Sequence, residues 1–201
     1  MSTAFAMVRK ADQLALLRPE LQEPLLALLG LQGQAPPPPI VGSVQGRAAY
    51  PTYELKDGTR AILKHYRHGG MLAKLMGDRF FGLRRPIREL LITERAAQRG
   101  VPTVTLLAAR IQRLAAFFYR GDVVLREIPG AQDLSSILKT PPAPGRKRNR
   151  LLRAVAATVC KMHDAGLLHH DLNLKNLLVA PDVTAYVVDL DQASLLEGSL
   201  D

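Results

Sequence analysis

The spacing of apolar and polar residues divides this chain into segments of different period. From Arg47 to Lys56, and again from Thr59 to Tyr66, apolar and polar residues alternate as on a half-buried strand, and the Asp57-Gly58 pair between them signals a tight hairpin. Two more strand-like runs, Thr105 to Ala109 and Ala115 to Tyr119, precede a Gly121-Asp122 pair read as a turn and a third run, Val123 to Ile128. Pro129-Gly130 then breaks the pattern as a hinge between two lobes would. Pro86 at a helix start, Ile87, Leu90 and Leu91 on one face, and Gly100 as a stop predict a helix before these runs. After a basic, Pro-rich linker from Pro141 to Arg150, the residues Leu151, Leu152, Val155, Val159 and Met162 recur at helical spacing up to Gly166. Leu177 to Val179 and Ala185 to Val188 predict two final strands flanking a Pro181-Asp182 turn. Residues 1 to 35, rich in Leu and Ala and interrupted by Pro19 and Pro24, predict a helical segment. The tract Pro36 to Pro39 favours an extended polyproline linker. The expected organisation is thus a helical segment and linker over 1–40 and a folded domain over 41–201, whose first lobe ends near residue 129.

Composition narrows the class. At 201 residues the chain holds one large domain or two small lobes. Apolar residues make up 47% and charged residues 22%, as expected of a folded protein. No apolar run reaches the ~20 residues of a membrane span, and Arg9, Lys10, Asp12 and Arg18 break up any secretory leader. A single cysteine, Cys160, suits a reducing compartment, so the expected location is cytoplasmic. The net charge of +9 is unevenly spread: Arg60 to Gly100 holds ten Lys/Arg against three acids, and Arg146-Lys147-Arg148-Asn149-Arg150 follows downstream. Such a surface favours an anionic partner or simply keeps the protein soluble. No nucleic-acid module is recognisable, and nucleic acid is not the expected partner.

The chemistry concentrates in His169-His170-Asp171-Leu172-Asn173-Leu174-Lys175-Asn176. A protein-kinase-like enzyme spaces its catalytic Asp and a metal-binding Asn five residues apart, and a second metal-binding acid ends a later strand. Asp171, Asn176 and Asp189 have that spacing. Phosphoryl transfer asks the protein mainly to position reactants and to neutralise charge, so one acceptor-orienting carboxylate and two oxygen ligands for Mg²⁺ suffice. Asp and Asn are also ordinary turn residues; the flanking strands are what favour the catalytic reading. Ala61-Ile62-Leu63-Lys64 resembles the kinase strand that ends in a phosphate-binding lysine, with Glu89 as its candidate partner and Glu94 as the competitor. Gly42 to Arg47, with Gly46 as the nucleotide-binding candidate, reads either as a phosphate-covering glycine loop or as a plain turn. Cys160, His163, His169 and His170 fit no structural-zinc spacing, and His169 reads as a scaffold for the catalytic loop.

Further stretches carry a more specific resemblance: Leu63 to Gly70, Asp78-Arg79-Phe80, Arg88-Glu89, Gly100-Val101-Pro102, Ile128 to Ala131, His170 to Asn176 and Asp189-Leu190-Asp191. Together, over about residues 42 to 193, they resemble the lipopolysaccharide core kinases, and the 3-deoxy-D-manno-octulosonic acid (Kdo) kinases most. The resemblance implies an α+β, protein-kinase-like two-lobed fold, with an antiparallel-sheet N-lobe and a short, mainly helical C-lobe over about 130–201. It implies ATP and Mg²⁺ as cofactors, Lys64 on the nucleotide phosphates with Glu89 beside it, Asp171 as the catalytic aspartate, and Asn176 and Asp189 as metal ligands. The implied acceptor is a Kdo hydroxyl of a lipid A precursor, met by a peripheral protein at the anionic cytoplasmic face of an inner membrane. A heptose or other small-molecule kinase and a nucleotide-binding pseudokinase are the alternatives. Leu190 and Asp191 stand where protein kinases carry Phe and Gly, and the chain stops twelve residues after Asp189, which leaves two expectations, a minimal C-lobe or an incomplete acceptor site.

Overall fold

A computed structural model describes residues 5–33, 36–45, 49–66, 80–81, 85–114, 118–140 and 142–196. The chain forms two compact units: residues 1–90 with 105–127, and residues 91–104 with 128–201.

The first unit is built on one antiparallel sheet. Its strands are β1 (Ala6–Lys10), β2 (Gln13–Leu17), β3 (Ile40–Gln45), β4 (Ala49–Glu54), β5 (Arg60–His65), β6 (Phe80–Phe81), β7 (Leu106–Arg113) and β8 (Phe118–Arg126), in the order β1-β2-β7-β8-β5-β4-β3 with β6 against β8. The Asp57-Gly58 hairpin forms as its chemistry requires. Asp57 accepts hydrogen bonds from the Thr59 amide and hydroxyl at 3.0 and 2.8 Å, which hold its carboxyl below the usual carboxylate range, and Gly58 takes φ +78°. One face of the sheet buries Ala15, Leu17, Ala61, Leu63, Ala108 and Val124 under the short helix α1 (Gln22–Leu28); the other face carries Tyr66, Leu106, Ala109 and Val123.

Three expectations fail here, each for a physical reason. Residues 6–17, expected in a helix, form a β-hairpin that continues the sheet through β2 against β7. The Leu/Ala content favours helix, but Ala15 and Leu17 are fully buried on one face of a strand, and tertiary burial overrides propensity. Only α1 is helical, and Pro24 is tolerated in its first turn. Consequently the N-terminal segment belongs to the same unit as the strands after Pro36 to Pro39, instead of preceding them as a separate element. The second failure is Gly121-Asp122, expected as a turn, which lies inside the continuous β8. The third is Gly42, expected in a loop, which sits in β3 at a register irregularity. Gly46 lies outside the described residues.

Helix α2 (Arg85–Gln98) carries the chain from the first unit into the second. It ends as Gly100 predicts: Gly100 takes φ +82°, its amide bonds Ala97 O and the Val101 amide bonds Ala96 O, so two terminal carbonyls are satisfied. The second unit continues with β9 (Gln132–Asp133), α3 (Leu134–Lys139), α4 (Arg146–Asp164), β10 (Leu167–Leu168), a 3-10 turn at Leu174–Asn176, β11 (Leu177–Val179), β12 (Ala185–Val187) and β13 (Ser194–Leu195). Asp133 caps α3 by accepting from the Ser136 amide at 2.8 Å. The basic stretch expected as linker becomes helical from Arg146, so α4 begins five residues before its first buried residue, Leu151. One core joins Ile92, Ala96 and Val101 to Met162, Leu167, Val187 and Leu190; a second joins Leu134 to Leu151, Leu177, Val179 and Ala185.

Candidate active site

In the first unit, successive side chains of β5 alternate faces, so Leu63 enters the core beneath α1 while Lys64 emerges on the opposite side. The Lys64 Nζ lies 3.7 Å from Glu89 Oε1 and 5.4 Å from the centre of the Tyr66 ring. Glu89 is 2% exposed, and a carboxylate so buried requires a cation close by. The structure therefore pairs Lys64 with Glu89. Glu94, the competitor, accepts instead from Gln98 Nε2 at 3.3 Å on the outside of α2.

Gly121 supports this arrangement. An added Cβ there would stand 2.4 Å from Cγ of Pro86 in the first turn of α2 and 3.5 Å from the Tyr66 ring. The helix that bears Glu89 thus lies against bare backbone.

The reverse face of the same three strands holds a group that sequence reasoning missed. His65, Asp122 and Arg110 are direct cross-strand neighbours on β5, β8 and β7. Asp122 is fully buried, bonded by His65 Nδ1 and by Arg110 through Nη2 and, at 2.7 Å, Nε. Burial by itself would raise the Asp122 carboxyl, but the hydrogen bond from His65 and the charge of Arg110 outweigh it and hold the carboxyl below its ordinary value. Arg110 also donates to the Leu29 carbonyl at the end of α1. A Gly-Asp pair reads locally as a turn; the contrary signal was strand pattern on both sides of it.

In the second unit, His169 anchors the loop that carries Asp171 from both ring nitrogens. Nδ1 accepts from the Asp171 amide at 3.3 Å, and Nε2, 3.0 Å from the Val188 carbonyl, donates to it. That pattern requires the neutral ring with its proton on Nε2. Asn176, 8% exposed, donates Nδ2 to the Asp171 carbonyl at 2.8 Å, and Asn173 donates to the same carbonyl at 3.0 Å. The Asp171 side chain is left exposed, within 3.3 Å of Asn173 Nδ2. β11 and β12 are antiparallel with Leu177 opposite Val187, and the Val188 amide bonds the Asn176 carbonyl at 3.0 Å. Asn176 and Asp189 accordingly leave the same end of one hairpin, beside the loop that carries Asp171. Asp189 has φ +64°, a left-handed conformation that costs a non-glycine residue ~1–2 kcal/mol and that concentrates at functional sites.

The two residues that could hold a metal, Asn176 and Asp189, both offer oxygen, one from an amide and one from a carboxylate. Because Asn176 spends its nitrogen on the Asp171 carbonyl, its oxygen is the atom that could serve as a ligand. This suits Mg²⁺, which takes oxygen ligands and keeps waters.

The profile of the lipopolysaccharide kinase (Kdo/WaaP) family matches residues 34–197. The chain belongs to that family. It is 31% identical over 163 residues to the 3-deoxy-D-manno-octulosonic acid kinase of Vibrio cholerae serotype O1, covering 79% of this chain and 67% of the relative. It is 28% identical over 169 residues to the enzyme of the same name from Haemophilus influenzae, covering 79% and 68%. The chain spans about two thirds of the length of these relatives. Among solved structures, WaaP in complex with acyl carrier protein superposes with a TM-score of 0.52 at 22% identity, covering 88% of this chain and 68% of that one. The fold is therefore α+β and protein-kinase-like. Family membership places the chain among lipopolysaccharide core kinases, transferases that phosphorylate a sugar hydroxyl.

Proposed function

We propose that this chain is an ATP- and Mg²⁺-dependent kinase that phosphorylates a Kdo hydroxyl of a lipid A precursor, working as a peripheral protein at the cytoplasmic face of an inner membrane. The observation that carries the reading is the hairpin end at which Asn176 and Asp189 meet the loop of Asp171, in a chain whose relatives are named Kdo kinases.

The roles follow from the chemistry of each group. Asp171, exposed and held through its backbone by His169, Asn173 and Asn176, accepts a hydrogen bond from the acceptor hydroxyl and aligns it for attack. Asn176 and Asp189 hold the metal, which when bound neutralises charge on the transferring phosphate. Lys64, kept in place by Glu89, binds the nucleotide phosphates as a point charge. No described helix is long and apolar enough to cross a membrane; the lipid-linked acceptor is met through surface charge, at about 1 kcal/mol per Lys/Arg near an anionic leaflet.

The test is direct. Purified protein with Mg-ATP and Kdo-containing lipid A precursor yields, by mass spectrometry, a product carrying one added phosphate, and Asp171→Asn abolishes it. Binding of ATP with transfer to a heptose or to no sugar acceptor would assign the chain to another acceptor or to a regulator.

A further inference from the structure

From Leu134 to His163 the chain holds seven Lys/Arg and no acid. Five of these, Arg146, Lys147, Arg148, Arg150 and Arg153, are exposed on the first eight residues of α4. That placement opposes the stability of the helix itself. A helix N-terminus carries partial positive charge and favours acids, yet the first turn of α4 has no acid and Gly145 supplies no side-chain cap. The protein does little to compensate. Arg150 donates to the Asp182 carbonyl at 2.9 Å, while the Asp182 carboxylate is taken up by the Thr184 amide and hydroxyl. Among the described residues, no ion pair engages any of the five cations. The other basic stretch differs: Arg60 pairs with Glu127 at 3.5 Å, and Arg99 donates to the carbonyls of Ala165 and Leu196.

Two exposed leucines accompany the cations, Leu138 on α3 and Leu152 on α4, 40% and 50% exposed. The two helices share the core of Leu134 and Leu151, so these residues belong to one corner of the second unit. Residues 134–163 contain no Phe, Tyr or Trp on which a nucleic-acid base could stack. Clustered cations with interspersed leucines and no acid match an anionic bilayer, where cations meet headgroup phosphates and leucines enter the interface.

We propose that the α3–α4 corner is the surface on which this chain docks to an anionic phospholipid bilayer. The proposal rests on the reading of a lipid-linked acceptor and names the surface that brings the enzyme to it. The corner takes no part in phosphoryl transfer.

Sedimentation with vesicles tests it. The full chain sediments with vesicles of phosphatidylcholine and phosphatidylglycerol, does so less as salt rises, and stays in the supernatant when the vesicles are pure phosphatidylcholine. Neutralising Arg146, Lys147 and Arg148 together to Gln lowers binding by roughly fivefold per charge, about a hundredfold in all. Leu152→Asp, which keeps every cation, lowers binding as well. A control neutralising Arg9, Arg95 and Arg113 to Gln binds like the wild type. Phosphorylation of detergent-solubilised acceptor is unchanged in the triple variant, so a failure of docking is told apart from a failure of catalysis. Equal binding to both vesicle types, undiminished binding by the triple variant, a comparable loss in the control, or binding to acyl carrier protein or RNA with none to vesicles would each overturn the proposal.

Discussion

Replacing Gly121 with alanine adds one methyl group at the place where α2 lies closest to the sheet. Gly121 is not in the left-handed region, so alanine suits the backbone there and the cost is steric. The new Cβ would stand 2.4 Å from Pro86 Cγ and 3.3 Å from Cδ, against ~3.5–4 Å for carbon atoms at their optimum. Relief requires a shift of roughly 1 Å at the start of α2. Glu89 follows Pro86 by three residues and so moves with it. The Lys64–Glu89 separation, already 3.7 Å, then passes the range of a direct ion pair. Overpacking of this kind costs ~1–3 kcal/mol of stability, and a 1 Å misplacement of a positioning group can cost ~100-fold in rate. The assay is kcat and KM for ATP, with urea unfolding in parallel. Gly121→Ala loses more than tenfold in kcat/KM for ATP, and Gly121→Ala/Pro86→Ala, which removes the clashing ring atoms, recovers most of it. Unchanged ATP kinetics in Gly121→Ala, or a double variant as impaired as the single, would show that the close approach of Pro86 to Gly121 does not position Glu89.

Other outcomes follow from the same geometry. Asp122→Asn leaves Arg110 without its buried partner and destabilises by ~3–5 kcal/mol in urea unfolding. The Asp122 carboxyl is lowered in the folded state, so its contribution is present above the unfolded value of ~3.9 and is lost as pH falls through the folded one. Stability of the wild type therefore declines on acidification below about pH 4, and the Asn variant shows a shallower decline over that window. His169→Ala frees the Asp171 amide and the Val188 carbonyl and lowers kcat with little change in KM for ATP; a proportional rise in KM would contradict the anchoring role. Mg-ATP at 100 times its Kd stabilises the wild type by ~2.7 kcal/mol in thermal unfolding, and Asp189→Ala abolishes the magnesium-dependent part.

The Asp171 loop and its hairpin in the second unit were more legible in the sequence than the Lys64–Glu89 pair of the first, because their information is local. Asp171, Asn176 and Asp189 lie within nineteen residues, and the strands around them, β11 and β12, form as their apolar runs predict. Glu89 could be narrowed only to a choice with Glu94, since both sit on one helix, and what separates them is which face meets β5. Local sequence misleads where tertiary burial decides. Leu14 to Leu17 have the composition of a helix, yet β7 supplies the neighbour that makes them a strand. Gly121 and Asp122 are turn residues by local propensity. Their strand position depends on groups distant in sequence: the Pro86 ring of α2 against Gly121, and Arg110 and His65, from two other strands, on Asp122.

The proposed role of Asp171 is to orient a sugar hydroxyl for attack on the phosphate of ATP. That role is decided by mass spectrometry of Kdo-containing lipid A precursor after incubation with Mg-ATP and either wild-type protein or Asp171→Asn. The wild type adds one phosphate and the variant, which still binds ATP, adds none. Equal phosphorylation by both proteins would contradict that role.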